Sequence, residues 1–127
     1  MQNQFSRTQL LIGKPAMDTL MGSRVAVFGL GGVGSYVVEV LARSGVGELD
    51  IFDDDRVCLT NVNRQLYAVL STVGKHKVDV AEARIHDINR QCIVQISNVL
   101  FASKRRFHRS LTIRLCSGLY RHCLCQD

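Results

Sequence analysis

The chain has 127 residues, 46% of them hydrophobic, and this composition is enough for one domain with a buried core. Its formal net charge of +5 comes entirely from residues 100–127, because residues 1–99 carry equal numbers of basic and acidic side chains. No apolar run reaches the roughly 20 residues that span a bilayer, and the N-terminus lacks a secretory pattern. The sequence therefore predicts a cytoplasmic protein with no membrane partner. The five cysteines contain no CxxC pair, so no metal site is predicted.

Residues 1–22 are predicted to form an N-terminal helical arm. Residues 5–12 suit a turn or short helix, and Pro15 is favourable in the first turn of a second helix that ends at Met21. Gly22 supplies the stop signal after that helix.

A glycine-rich loop follows the first predicted strand, residues 25–28. Glycines here let the backbone turn sharply and approach a phosphate closely, and a following helix directs its free N–H groups at the anion. These glycines are Gly29, Gly31, Gly32 and Gly34. The helix is expected over residues 33–44, and its buried stripe is expected to comprise Val33, Val37, Val40 and Leu41.

The second predicted strand, residues 48–52, ends in three consecutive aspartates. Asp53 lies 19 residues after Gly34, where an acid at the end of the second strand can accept hydrogen bonds from ribose hydroxyls. Strand, loop, helix, strand and spaced acid together indicate a dinucleotide or ATP site.

The remaining pattern completes an α/β fold. Residues 64–70 are expected to form a short helix, residues 76–89 a longer one, and residues 93–100 a third strand. We expect a Rossmann-like parallel sheet with helices on both faces, incomplete because only the N-terminal half is present. Residues 23–100 would form this nucleotide-binding domain, and residues 101–127 are expected to be an irregular basic tail.

Cations after the second strand favour a triphosphate as the ligand. Arg64 and Lys77 have the right side chains to offset phosphate charge, and Asn61 can hydrogen-bond ribose or phosphate. The alternatives are that Arg64 pairs with a nearby aspartate on the surface and that Lys77 is solvated on a helix. A glycine loop followed by an acid also fits an NAD dehydrogenase.

Several motifs make the sequence resemble one known family. They are GxGGVGS, RSGVGxL, DDDxVCLTNxNRQ and TVGxxKV, together with the leading FSRTQLLIG, and they lie within residues 5–78. This part resembles the adenylating domain of the ubiquitin-activating-like superfamily, which includes HesA, MoeB and ThiF. Within it, the sequence is most similar to the tRNA threonylcarbamoyladenosine dehydratase group.

The resemblance implies that Mg-ATP activates a carboxylate as an acyl-adenylate, in this group the threonylcarbamoyl group of a tRNA nucleoside. It implies that Gly31, Gly32 and Gly34 hold the triphosphate and that Asp53 binds ribose. The phosphates would be lined by Asn61, Arg64, Gln65 and Lys77, with Asp55 nearby. Arg7 would reach the γ-phosphate of a neighbouring subunit, so a homodimer is implied. A sulfur-transfer partner, known for some relatives, is left open.

The resemblance fades after about residue 99. Relatives continue to an Asp-x-x-Asp strand end whose second acid binds magnesium, and no such motif stands here. One hypothesis is that residues 101–127 are an out-of-frame translation and that the chain is a truncated product. The alternative is a basic arm, with Arg105, Arg106, Phe107 and Arg109, that contacts tRNA phosphates. A non-catalytic fragment that binds nucleotide or pairs with an intact subunit is the third functional reading.

Overall fold

The computed structural model describes residues 2–98 and 113–117, and their centre is one parallel sheet. The strands are β1 (Arg24–Phe28), β2 (Glu48–Phe52), β3 (Ile93–Ser97) and β4 (Ile113–Ser117). Their spatial order is β3-β2-β1-β4, and every neighbouring pair is parallel. The predicted Rossmann-like parallel sheet is therefore confirmed.

Two helices connect the first three strands on one face of the sheet. The described part of the chain has four helices, α1 (Ser6–Ile12), α2 (Lys14–Met21), α3 (Gly34–Ser44) and α4 (Lys77–Ile88), and α3 and α4 make these connections. Because the chain steps from β1 to β2 to β3 in one direction, right-handed crossovers place α3 and α4 on the same face, where they contact each other. The core between them and the sheet includes Val27, Val38, Leu49, Ile51, Val78 and Ile85.

The buried face of α3 differs from the predicted stripe. Val33 and Val40 are 54% and 61% exposed, whereas Val38 and Ala42 are fully buried. The reason is the start of the helix, where a methyl group on Gly34 would stand 1.8 Å from the carbonyl oxygen of Gly29. That close approach fixes the rotation of α3, so the line through residues 34, 38 and 42 faces the sheet.

The helix predicted over residues 64–70 is not formed. This segment is a series of turns after a single 3₁₀ turn, Leu59–Asn61. The Thr72 hydroxyl accepts the Val69 N–H at 3.0 Å and donates to the Tyr67 carbonyl oxygen at 2.6 Å. Such side-chain bonds to the backbone replace the bonds of a helix.

The prediction of an irregular tail is wrong for residues 113–117, because β4 pairs there with the edge of β1 that faces away from β2. Val27 lies opposite Ile51 on one side and Cys116 on the other. Pairing satisfies backbone groups that an open edge of β1 would leave free. The rest of the tail, including the basic arm around Arg105, lies outside the described residues. β3 ends at Ser97, and positions 99–100 of its predicted span lie outside them too.

The N-terminal arm forms two helices, as predicted, and packs where the strands begin. A methyl group on Gly45, just after α3, would stand 3.2 Å from Met17 Cε and 3.5 Å from Phe5 Cδ1. Gln4 Nε2 donates to the carbonyl oxygen of Ile88, the last residue of α4, at 3.3 Å. None of the helices in the described part is both long and apolar enough to cross a membrane.

Candidate functional site

The glycine loop is tied to the carboxyl ends of β1 and β2. The Gly29 N–H donates to the Phe52 carbonyl oxygen at 2.8 Å, and the Leu30 N–H donates to Asp53 Oδ2 at 2.6 Å. Asp53 is 5% exposed, and its Oδ1 accepts the Asp55 N–H at 2.8 Å. Asp53 therefore shapes two segments at once. Each carboxylate oxygen has a further lone pair, so Asp53 can still accept a hydrogen bond from a ligand hydroxyl.

The positions of this loop require glycine for different physical reasons. Gly34 lies so close to Gly29 that any side chain would overlap the backbone. At Gly31 and Gly32 the nearest atoms to an added methyl group are Gln65 Nε2 and Arg64 Cγ, each 4.0 Å away. That distance is ordinary contact, so packing alone does not require glycine at these two positions. A ligand that approaches the backbone closely does require it.

Asn61 is fully buried beside this loop, and half of its side-chain amide is bound. Oδ1 accepts the Cys58 N–H at 3.0 Å, whereas Nδ2 has no hydrogen-bond partner within residues 2–98 and 113–117. The backbone carbonyl oxygen of Asn61 accepts the backbone N–H groups of Arg64 at 3.2 Å and Gln65 at 2.9 Å. Because a buried donor without an acceptor costs free energy, Nδ2 suits a ligand oxygen.

Arg64 and Gln65, which follow Asn61 in the same turns, approach the glycine loop. Arg64 is exposed, and its guanidinium is held by the Thr60 carbonyl oxygen at 3.2 Å and by Asn63 Oδ1 at 2.9 Å. Gln65 is only 6% exposed. The turns of residues 62–68 therefore bring the side-chain stem of Arg64 to Gly32 and the amide of Gln65 to Gly31.

Lys77 is a buried cation at the start of α4, not the solvated lysine of the alternative reading. It is 3% exposed, and its Nζ lies 3.9 Å from Asp55 Oδ2, too far for a strong hydrogen bond. Burial of an ammonium group is costly unless it is paired, and the N-terminus of a helix is itself electropositive. The ammonium and the helix end together favour an anion at this point.

The three aspartates after β2 place ligand-type oxygens within 4.8 Å of one another, the one such cluster found among the described residues. Asp53 already binds two backbone N–H groups, and Asp55 faces Lys77. An acidic cluster engaged in this way carries no metal assignment by itself.

Arg7 is not brought to the glycine loop of its own chain. It belongs to α1, and the preceding residues Phe5 and Gln4 lie against Gly45, just after α3, and Ile88, the last residue of α4. The glycine loop precedes the first residue of α3, and the eleven residues of that helix separate the two places by about 16 Å.

A charged cluster between α3 and α4 was not predicted. Arg84 of α4 donates from Nε to Glu39 Oε2 at 2.7 Å and from a terminal nitrogen to Oε1 at 2.9 Å, and Arg43 donates to Oε1 at 2.9 Å. The Arg84 hydrogen bonds lower the pKa of Glu39, with Arg43 adding to the shift. The signal that could have revealed this cluster was an acid inside the otherwise apolar stretch Val37–Ala42 of α3.

Comparisons of the sequence with known proteins identify its family and its relatives. A family model described as "ThiF family" matches residues 5–111. A tRNA threonylcarbamoyladenosine dehydratase of Bacillus subtilis is 60% identical over 94 residues, which cover 74% of this chain and 37% of that protein. The dehydratase of Escherichia coli is 40% identical over 95 residues, 75% of this chain and 35% of the relative. This chain thus spans little more than a third of each relative.

A solved structure gives the same result at the level of the fold. The crystal structure of the E. coli tRNA N6-threonylcarbamoyladenosine dehydratase, TcdA, in complex with ATP superposes with a TM-score of 0.76 at 38% identity. The match covers 78% of this chain and 41% of that one.

Proposed function

The chain belongs to the ThiF family, and from this premise we propose that it binds ATP at the carboxyl edge of its sheet and activates a carboxylate by adenylation. One observation carries the proposal: the turns that contain Asn61, Arg64 and Gln65 lie against Gly31 and Gly32. An anionic ligand would accept a hydrogen bond from the unpaired Asn61 Nδ2 and would pair with the buried ammonium of Lys77 at the same edge. The relative crystallised with ATP supports the choice of nucleotide.

The residues divide the work of binding between sugar and phosphates. Asp53 would accept hydrogen bonds from ribose hydroxyls, while the backbone at Gly31, Gly32 and Gly34 and the start of α3 would receive the phosphates. Arg64 and Lys77 would offset the charge that develops on the leaving pyrophosphate, with Asn61 and Gln65 as hydrogen-bond donors. ATP supplies the adenylyl group, and no nucleophilic side chain of the protein is needed.

The proposed substrate is the threonylcarbamoyl group on a tRNA adenosine, because the dehydratases of B. subtilis and E. coli carry that activity in their names. Its carboxylate would attack the α-phosphate of ATP and release pyrophosphate, and cyclisation of the side chain would then release AMP. The net change in the side chain is the loss of one water, driven by conversion of ATP to AMP and pyrophosphate. We place this reaction in the cytoplasm and leave a sulfur-transfer partner unassigned.

Magnesium would accompany ATP, but the described residues give it no dedicated ligand set. Both oxygens of Asp53 accept backbone N–H groups, and Asp55 lies near Lys77. No residue of the described part is therefore assigned to the metal.

Arg7 is proposed to act in a second copy of the chain. Within one copy, α1 packs at the end of the sheet opposite the glycine loop, so Arg7 could complete a phosphate site only across a homodimer.

Mixing two inactive variants tests whether the site is shared between subunits. Arg7→Ala and Lys77→Ala variants should each lose tight ATP binding. A refolded equal mixture should recover about a quarter of the tight sites, since half of the dimers would be mixed and each would hold one intact site. No recovery would contradict the shared site.

Calorimetric titration with ATP, AMP and NAD tests the nucleotide assignment. Preference for ATP supports the proposal, and preference for NAD supports the dehydrogenase reading. Pyrophosphate release with tRNA that carries threonylcarbamoyladenosine then separates an enzyme from a fragment that only binds nucleotide.

A further inference from the structure

The charged cluster between α3 and α4 joins the two helices through one carboxylate. Glu39 is only 9% exposed, and Arg84 holds both of its carboxylate oxygens from the neighbouring helix at 2.7 and 2.9 Å. Two parallel donors on one carboxylate fix orientation as well as distance. The pair therefore sets how α3 lies against α4.

Both helices begin at the proposed nucleotide site. α3 starts at Gly34, at the end of the glycine loop, and α4 starts at the buried Lys77. Glu39 lies five residues into α3, and Arg84 lies seven residues into α4. The bridge is thus about one to two turns behind the two helix ends, where a small change in helix position moves the phosphate-binding groups relative to each other.

A third segment shares the core of the same two helices. Tyr67 is 4% exposed, and its hydroxyl has no hydrogen-bond partner among the described residues. Tyr67 belongs to the core cluster that includes Val38 of α3 and Ile85 of α4, and burial raises its pKa. Tyr67 follows Gln65 by two residues and anchors the turns that carry Arg64.

We propose that Glu39 and Arg84 are positioning residues for the triphosphate: their bridge, with Tyr67 in the core that the same helices share, sets the spacing between the glycine loop, Lys77 and the turn of Arg64. This inference rests on the proposed function, because it concerns the same site. Neither side chain touches the nucleotide in this account. Their effect is transmitted through the helices and is confined to ligands that engage both helix ends at once.

Arg43 provides a matched control. It also donates to Glu39 at 2.9 Å, but it belongs to α3 itself, four residues after Glu39, and is mostly exposed. Arg43→Gln removes a charge and a hydrogen bond from the same carboxylate without opening the contact between helices. Arg84→Gln removes the contact that joins α3 to α4.

The test measures dissociation constants of ATP and AMP for the 127-residue chain and its variants. The readout is the ratio of AMP to ATP dissociation constants, since AMP lacks the phosphates that would span both helix ends. Arg84→Gln is expected to lower this ratio about tenfold through weaker ATP binding, and Arg43→Gln less than about twofold. Equal ratios in the two variants, or equal losses of ATP and AMP affinity in Arg84→Gln, would overturn the positioning role.

Circular dichroism checks that Arg84→Gln is folded. If it is not, Arg84→Lys is measured in its place, because lysine retains the charge but cannot make two parallel bonds. A lowered ratio in Arg84→Lys supports the proposal, and an unchanged ratio overturns it. Failure of the unmodified chain to bind ATP would instead contradict the proposed function itself.

Discussion

The two ends of the sheet treat buried polar groups differently. Towards the end where the strands begin, Arg24, the first residue of β1, holds Asp50 of β2 at 2.7 and 3.2 Å, and Asp50 is 3% exposed. Where the strands end, Asn61 is fully buried with Nδ2 unpaired among the described residues, and Lys77 Nζ lies 3.9 Å from Asp55 Oδ2. Polar groups at the first end complete one another. Polar groups at the second end are available to bind a ligand. We therefore propose that the end where the strands begin stabilises the fold and that the end where they finish binds the ligand.

Replacing a glycine at each end of the sheet should give the largest difference between the two ends. A methyl group on Gly47, at the start of β2, would stand 1.8 Å from the Met21 carbonyl oxygen, whereas one on Gly32 has its nearest contact at 4.0 Å. Gly47→Ala should lower the free energy of unfolding by about 4 kcal/mol because backbone must move. Gly32→Ala should leave stability within about 0.5 kcal/mol and weaken ATP binding about tenfold. Urea unfolding and calorimetry measure the two effects, and a stability loss at Gly32 as large as that at Gly47 would break the contrast.

The ion pair at the beginning of the strands gives the next largest effect. Arg24→Met should destabilise the fold by about 3 kcal/mol because Asp50 would remain buried without its partner. ATP affinity should change less than about twofold in the folded protein, since this pair lies at the other end of the sheet. Urea unfolding and an ATP titration measure the two quantities. If Arg24→Met kept its stability or lost ATP affinity, the two ends of the sheet would not have separate roles in stability and binding.

Lys77→Met should produce the opposite pattern. Methionine replaces a buried ammonium with an apolar chain, so stability should stay equal or rise. ATP binding should weaken about 100-fold through loss of a charge-assisted contact. Lys75→Met is the matched control, because Lys75 is an exposed lysine two residues away, and it should change neither quantity. Loss of stability without loss of ATP affinity would make Lys77 a structural residue.

Acid pH gives the smallest effect. Hydrogen bonds from Arg84 lower the pKa of Glu39 below its ordinary 4.5. Its stabilising contribution is therefore complete above about pH 4.5 and is lost as the pH falls through the lower folded-state pKa. Glu39→Gln should flatten the decrease of stability between roughly pH 5 and pH 3. An unchanged pH profile in thermal unfolding would show that the bridge contributes no pH-dependent stability.

The sequence predicted what local patterns determine. β1, β2, α4 and the polar cluster after β2 follow from short apolar strands, glycine signals and helical spacing. The buried side of α3 did not follow, because valines occupy both faces of the helix and the close approach of Gly34 to Gly29 decides its rotation. That approach is a tertiary contact with no periodic signature.

Two further features depended on partners that hydrophobic periodicity does not reveal. The turns of residues 64–70 depend on the hydroxyl of Thr72, and β4 forms beside an edge of β1 that lies far away in sequence. Among the predicted site residues, Arg64 and Lys77 were proposed from side-chain type and spacing. Burial of Lys77 and the unpaired amide of Asn61 emerge only from packing.

The central claim is that the carboxyl edge of this sheet holds the phosphates of ATP. Nuclear magnetic resonance of ¹⁵N-labelled protein during an ATP titration tests it most directly. The account predicts that the backbone amides of Gly31 and Gly32 and the side-chain NH₂ of Asn61 shift together, while the side chain of Arg24 stays unchanged. Saturating ATP that leaves these three signals in place, or that shifts the Arg24 end instead, would contradict the account.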